Sequence, residues 1–86
     1  MNFGQALETL KKDKIVARKN WNGNGMWLRL VHEDEYFLEE RSERSYFNPA
    51  AKLAPWIGML TADNKFVPWL ASQTDILAED WEEVTP

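Results

Sequence analysis

Phe3, Ala6, Leu7 and Leu10 fall at the i, i+3, i+4, i+7 spacing of one helical face. That pattern predicts an amphipathic helix over Asn2 to Lys12, laid with this face against a sheet. Asn2 can cap it, and Gln5 supplies the second half of a capping box. Lys11, Lys12 and Lys14 sit at its C-terminal end, where the helix dipole favours positive charge. The period then shortens to two. Lys14 to Lys19 reads as a short strand, with Ile15 and Ala17 alternating with Val16 and Arg18. Trp21-Asn22-Gly23-Asn24-Gly25 is a turn, because Asn and Gly tolerate positive φ. Met26 to Val31 is the returning strand. Gly23-Asn24-Gly25 lacks the third glycine and the following helix of a phosphate-binding loop, so it belongs to the hairpin.

The middle of the chain is more polar. His32-Glu33-Asp34-Glu35 predicts a solvated loop, Tyr36-Phe37-Leu38 a short strand, and Glu39 to Arg44 a mixed-charge loop or a turn of helix. Tyr46-Phe47-Asn48-Pro49 enters a turn. Apolar character returns at Trp56 to Thr61, a strand interrupted by Gly58, which points to a bulge or to the close approach of another backbone. Ala62-Asp63-Asn64-Lys65 turns the chain and Phe66-Val67 returns. Pro68 cannot donate to a ladder and marks an edge or a bend. Ser72 caps a short helix from about Gln73 to Ala78, with Asp75 reaching back to it. Trp81 to Val84 forms a last strand. The expected fold is therefore α+β: a single domain over residues 1–86, with an N-terminal helix, an antiparallel sheet of two hairpins and a short helix near the C-terminus.

Composition narrows the chemistry. An 86-residue chain has a marginal core, and small domains usually gain disulfides, a metal or partners. This chain has no cysteine and one histidine, His32, which excludes disulfides and argues against a zinc site. Aromatic packing, with five tryptophans, and self-association remain as supports. Residues 1–31 carry six lysines and arginines against two acids, and residues 32–86 four against twelve, for a net charge of −4. So acidic a chain is a poor partner for a DNA or RNA polymer, although its basic N-terminal third could hold a small anion. No apolar run approaches the roughly 20 residues of a membrane span, and no signal peptide opens the chain, so a cytoplasmic location is expected.

Catalytic sets are scarce. A Ser-His-Asp arrangement would need His32 to meet Ser42, Ser45 or Ser72, none of which lies in a nucleophile-elbow pattern. A carboxylate pair is possible, Asp75 with Glu79 or Asp80; Asp75 and Glu79, four apart, would share a helix face and could hold a metal or act as a general acid. A solvated pair of surface charges is the plainer reading. Residue chemistry alone favours a binding module over an enzyme, with no catalytic or metal-ligating residue and no cofactor. Trp21, beside a glycine-rich turn, offers an aromatic face for a base or sugar.

Val67-Pro68-Trp69-Leu70-Ala71-Ser72-Gln73-Thr74-Asp75, followed by Ile76-Leu77-Ala78-Glu79-Asp80-Trp81, resembles the signature of the Thoeris anti-defence two family of small phage proteins. Met1-Asn2-Phe3-Gly4-Gln5-Ala6-Leu7, Val16-Ala17-Arg18-Lys19-Asn20-Trp21-Asn22-Gly23 and Thr61-Ala62-Asp63 resemble the same family. The similarity spans nearly the whole chain and is vague between about 33 and 54. Two departures stand out. Pro55-Trp56-Ile57-Gly58-Met59 has Trp56 and Gly58 where relatives carry a histidine and a carboxylate, and Asp63-Asn64 replaces an Asp-Gly turn.

The resemblance implies a molecular sponge that binds cyclic nucleotide immune signals without cleaving them and so withholds them from effectors. The signals would be cyclic ADP-ribose isomers and, in some members, cyclic oligonucleotides. It also implies a homotetramer with ligand held between protomers, in the cytoplasm of the infected bacterium. Carried onto this chain by motif position, Trp21 and Trp69 would stack on the ligand. Asn22, Ser72, Gln73, Thr74 and Asp75 would contact ribose or base edges, and Arg18 the phosphates. The N–H groups at the start of the short helix could also face an anion. Trp27, Trp56 and Trp81 are expected in the core or an interface. Two alternatives remain: a protein-binding module acting directly on a host immune enzyme, and a nucleotide-cleaving enzyme using Asp75 or Glu79.

Overall fold

A computed structural model describes residues 1–21, 25–36 and 52–85. Its elements are α1 (Phe3–Lys11), β1 (Ile15–Arg18), β2 (Trp27–Val31), β3 (Trp56–Leu60), β4 (Phe66–Pro68), α2 (Gln73–Leu77) and β5 (Trp81–Val84), with single 3-10 turns at Lys19–Trp21 and Glu33–Glu35. The fold is α+β, as the periodicity predicts. Both expected caps form. The Asn2 side chain accepts from the Gln5 N–H at 2.8 Å while the Gln5 side chain accepts from the Asn2 N–H at 2.9 Å. Ser72 and Asp75 make the equivalent box at α2. The strand expected at Tyr36-Phe37-Leu38, the 39–44 segment and the Tyr46–Pro49 turn lie wholly or mainly outside the described residues.

The strands form one antiparallel sheet in the order β4-β3-β2-β1-β5. The two hairpins join through the β2–β3 ladder, which runs from Trp27 opposite Leu60 to Val31 opposite Trp56. β5 closes the other side, with Arg18 opposite Trp81 and Ile15 opposite Val84. Pro68 ends the edge strand β4, where its missing N–H leaves no ladder bond unmade.

Alternation divides the residues between two faces. Toward α1 point Val16, Leu28 and Trp81, which with Ala6 and Leu10 form a core sealed from solvent. Phe3, Leu7, Leu30, Ile57, Met59 and Trp69 pack around it. Trp81 is its largest member and is 1% exposed. A buried tryptophan removes roughly 150–250 Å² from water, equivalent to about 4–6 kcal/mol of gross transfer energy. The net stability of a chain of this size is only about 4–13 kcal/mol, so this one ring weighs heavily.

On the opposite face Trp27, Trp56 and Phe66 meet ring to ring, with centroids 6.3 Å apart for Trp27–Phe66 and 5.7 Å for Trp56–Phe66. Gly58 lies between them. The sequence suggested a bulge or a second backbone there, and the structure corrects both. The ladders run through Gly58 without a break, pairing it with Arg29 on one side and Pro68 on the other. What occupies its missing side chain is the ring of Phe66, with Trp56 2.9 Å from where a Cβ would stand. The glycine is thus covered by a cross-strand aromatic ring. Gly58→Ala should cost about 1–2 kcal/mol, because Phe66 must swing outward and release Trp56. Urea denaturation would measure it; an unchanged midpoint would show that Phe66 yields freely.

Candidate functional site

The register that places Arg18 opposite Trp81 also sets the site. Trp81 is buried by its neighbours on every side. Trp21, at the end of the turn after β1, meets it edge-on with centroids 5.5 Å apart. Trp69, just after β4, meets it edge-on from another direction at 5.9 Å. Phe3 of α1 lies 5.7 Å from Trp81 and 6.1 Å from Trp69. A buried indole N–H needs an acceptor. Trp81 donates to the backbone carbonyl of Asp75 at 2.9 Å, which also accepts from the Ala78 N–H at 3.3 Å near the end of α2. This bond fastens α2 to the core.

The polar cluster is built on the same helix. Asp75 Oδ2 accepts from Ser72 Oγ at 2.9 Å and from the Ser72 N–H at 3.3 Å. Its Oδ1 accepts from Arg18 Nη1 at 3.0 Å, and Arg18 Nε donates to Asp80 Oδ1 at 2.8 Å. Arg18 is 13% exposed and Asp75 16%, so this pair is largely withdrawn from water, whereas Asp80 is 33% exposed. Burial pushes the Asp75 carboxyl up, but the hydrogen bonds from Arg18 and Ser72 together outweigh it and hold the group below the ordinary carboxylate value. Asp80 is also held down, first by Arg18 and further by the N–H of Asn20. Arg18 is raised by the same two carboxylates.

Of the residues singled out in the sequence, Arg18, Trp21, Trp69, Ser72 and Asp75 all converge on Trp81 or on the helix it fastens. Gln73 and Thr74 occupy the first turn of α2 with exposed side chains. Asn22 lies outside the described residues. Trp81 is in the core, and Trp27 and Trp56 pack on the second face. The N–H groups at the start of α2 are less open than expected: Ser72 Oγ takes that of Asp75, and the helix has only five residues. The pairing of Asp75 with Glu79 on one helix face is corrected. The helix ends at Leu77, and Ala78 is already extended at φ −70°, ψ 151°, so the i, i+4 relation is lost. Asp75 is instead committed to Arg18 and Ser72. The residues that sequence reasoning passed over are Asp80, as the second partner of Arg18, and Phe3, as part of the aromatic nest. Nothing in the local pattern marks Asp80 as a partner of Arg18; only the β1–β5 register does.

Trp21 has a second environment. Beside it, on the far side of the sheet, lies a cavity of about 310 Å³ whose lining includes Ala17, Trp21, Met26, Trp27, Glu82 and Val84. That volume is at the lower end for a small-molecule pocket. His32 hydrogen-bonds to Asp13, and Glu35 pairs with Arg29 and accepts from the His32 N–H. Both interactions sit at the outer end of β2 and fit the solvated-loop reading. Among the described residues no group of three or more His, Asp or Glu side chains is placed to hold a metal ion, and no helix is long and apolar enough to cross a membrane.

The depressed carboxyls fix a pH dependence. Asp75 and Asp80 have folded-state pKa values below the unfolded one, near 3.9. Their contribution is complete above that value and is lost as pH falls through the folded-state values. Stability in urea should therefore fall from about pH 4 downward. Asp75→Asn should lower stability at neutral pH by about 1–3 kcal/mol and flatten the acid decline. An acid decline as steep as that of the unsubstituted protein would show that the cluster contributes nothing.

The Thoeris anti-defense 2-like domain model matches residues 1–84. Thoeris anti-defense 2 of Bacillus phage SP01 is 40% identical over 85 residues, spanning 99% of this chain and 96% of that protein. The match runs through both the aromatic nest and the Arg18–Asp75–Asp80 cluster. The chain belongs to the Thoeris anti-defense 2-like family.

Proposed function

We propose that this protein is a phage anti-defence factor that binds a cyclic nucleotide immune signal and withholds it from its effector without cleaving it. Family membership supports the anti-defence role. The observation that carries the binding reading is the convergence of two half-buried tryptophans and a capped, polar helix start on one anchored residue, Trp81. A sequestering protein needs aromatic faces for a base, hydrogen-bonding groups for ribose, and a cation for phosphate. Trp21 and Trp69 offer the faces. Ser72, Gln73, Thr74 and Asp75 offer the donors and acceptors, Asn22 adds to them, and Arg18 brings the charge. The site needs no cofactor.

Held rigidly, such groups lose little freedom on binding, which is how a small protein reaches high affinity. Each base–aromatic stack contributes about 1–3 kcal/mol. Two stacks and a few charge-assisted hydrogen bonds are consistent with nanomolar affinity, roughly −12 kcal/mol. The same groups are consistent with binding without cleavage: Asp75, held below the ordinary carboxylate value by its bonds from Arg18 and Ser72, makes a poor general acid, and both of its oxygens are already engaged.

The functional unit is a homo-oligomer, a tetramer by family resemblance, acting in the host cytoplasm. Leu70 and Leu77, at 91% and 77% exposed, frame the polar stretch with apolar surface suited to burial against another copy.

Incubation with a cyclic ADP-ribose isomer, followed by heat denaturation, should return the small molecule intact in stoichiometric amount. Recovery of an opened or hydrolysed product would contradict sequestration. In calorimetry, Trp21→Leu and Trp69→Leu should each weaken binding roughly 5- to 100-fold in proteins that remain folded. Unchanged affinity in both would remove the tryptophans from the site.

A further inference from the structure

The guanidinium of Arg18 has two edges able to take an anion in bidentate fashion, Nη1 with Nη2 and Nε with Nη2. The structure uses them unequally. Asp75 holds Nη1 through Oδ1, and its other oxygen is fixed by the Ser72 hydroxyl and N–H. Both oxygens of Asp75 are thereby committed. Asp80 holds only Nε, through one oxygen, and is twice as exposed as Asp75. Nη2 has no hydrogen-bond partner among the described residues. No buried side-chain nitrogen or oxygen among them lacks a partner, so Nη2 reaches solvent. The Nε–Nη2 edge is therefore half occupied, and its occupant is the more loosely held of the two carboxylates.

We infer that the Nε–Nη2 edge of Arg18 is a phosphate-binding edge, with Asp80 as its internal competitor and Asp75 as its fixed partner. A phosphate or pyrophosphate oxygen pair matches this edge in bidentate geometry, which a single Asp80 oxygen does not. To bind it, Asp80 turns toward solvent, where its charge is readily hydrated, and Arg18 stays anchored through Asp75. With Asp80 in place the three side chains sum to one negative charge, which repels weakly bound anions. Asp80 thereby sets a threshold: an anion must offer two oxygens, or further contacts elsewhere in the site, to displace it. The inference deepens the proposed function, on which it rests for Arg18 as the phosphate contact and for the identity of the natural anion; what it adds is the edge used and Asp80 as its competitor.

The test uses inorganic pyrophosphate as probe, in low salt because exposed charges are otherwise screened. Binding is followed on the ¹⁵Nε–Hε signal of Arg18. Asp80→Asn keeps the side-chain shape and removes the competing charge. It should tighten pyrophosphate binding about tenfold, with the Arg18 signal moving on titration. Arg18→Lys in the Asp80→Asn background should abolish that gain, since an ammonium has no planar fork. Asp80→Ser should behave as Asp80→Asn, which guards against an effect peculiar to one substitution. Equal or weaker binding by both Asp80 variants, or an Arg18 signal that does not respond, would overturn the inference. Parallel calorimetry with a cyclic ADP-ribose isomer separates the two claims. Tightened pyrophosphate binding without binding of that isomer would leave the edge standing and refute sequestration of cyclic ADP-ribose isomers of that kind. Nucleotide binding that the Asp80 variants do not strengthen, with no pyrophosphate response, would do the reverse.

Discussion

A buried tryptophan with a polar N–H imposes a constraint that the rest of this structure satisfies. Trp81 must be surrounded by apolar rings, and its nitrogen must still find an acceptor. Phe3, Trp21 and Trp69 supply the rings, from α1, from the turn after β1 and from the segment after β4. The carbonyl of Asp75 supplies the acceptor. Residues from three distant parts of the sequence are thus tied to one side chain. The helix that carries the polar stretch is too short to be stable by itself. It holds its place because its cap, its ion pair with Arg18 and the indole bond all act on it together.

On the proposed reading, this arrangement joins stability to recognition. The tryptophans best placed to meet a ligand are also the walls of the core, so their exposed faces are held at fixed angles. Arg18 is shared in the same way. It balances the charge of Asp75, which is largely withdrawn from water, and is the cation paired with the polar stretch. On the inferred role of Arg18, the difference in exposure between Asp75 and Asp80 decides which contact gives way. The second face of the sheet, with Trp27, Trp56 and Phe66 over Gly58, is built on separate aromatic contacts.

Much of the fold was legible in the sequence because local rules and the final structure agree. The period of α1, the Asn2 and Ser72 capping boxes, the two hairpins and the edge position of Pro68 all follow from short-range patterns. Strand order does not. Nothing local tells that β5 pairs with β1, and that pairing is what brings Asp80 to Arg18 and Trp81 beneath Trp21. Gly58 shows the same limit from another side. A glycine in a strand signals that something fills its place, and only the fold shows that this is the ring of Phe66. The length of α2 was overread by one residue, which is enough to separate Asp75 from Glu79. The family signature at 67–81 falls on this stretch, but which of its groups meet Arg18, Trp81 and Phe3 depends on contacts with β1, β5 and α1.

If the anchored nest of aromatic and polar groups receives a cyclic nucleotide, amide hydrogen exchange should register it: addition of a cyclic ADP-ribose isomer should bring new protection concentrated in residues 18–21 and 69–75, with β3 and β4 little changed. Absence of protection in those two segments under saturating ligand, or protection confined to the opposite face around Trp27 and Trp56, would contradict it.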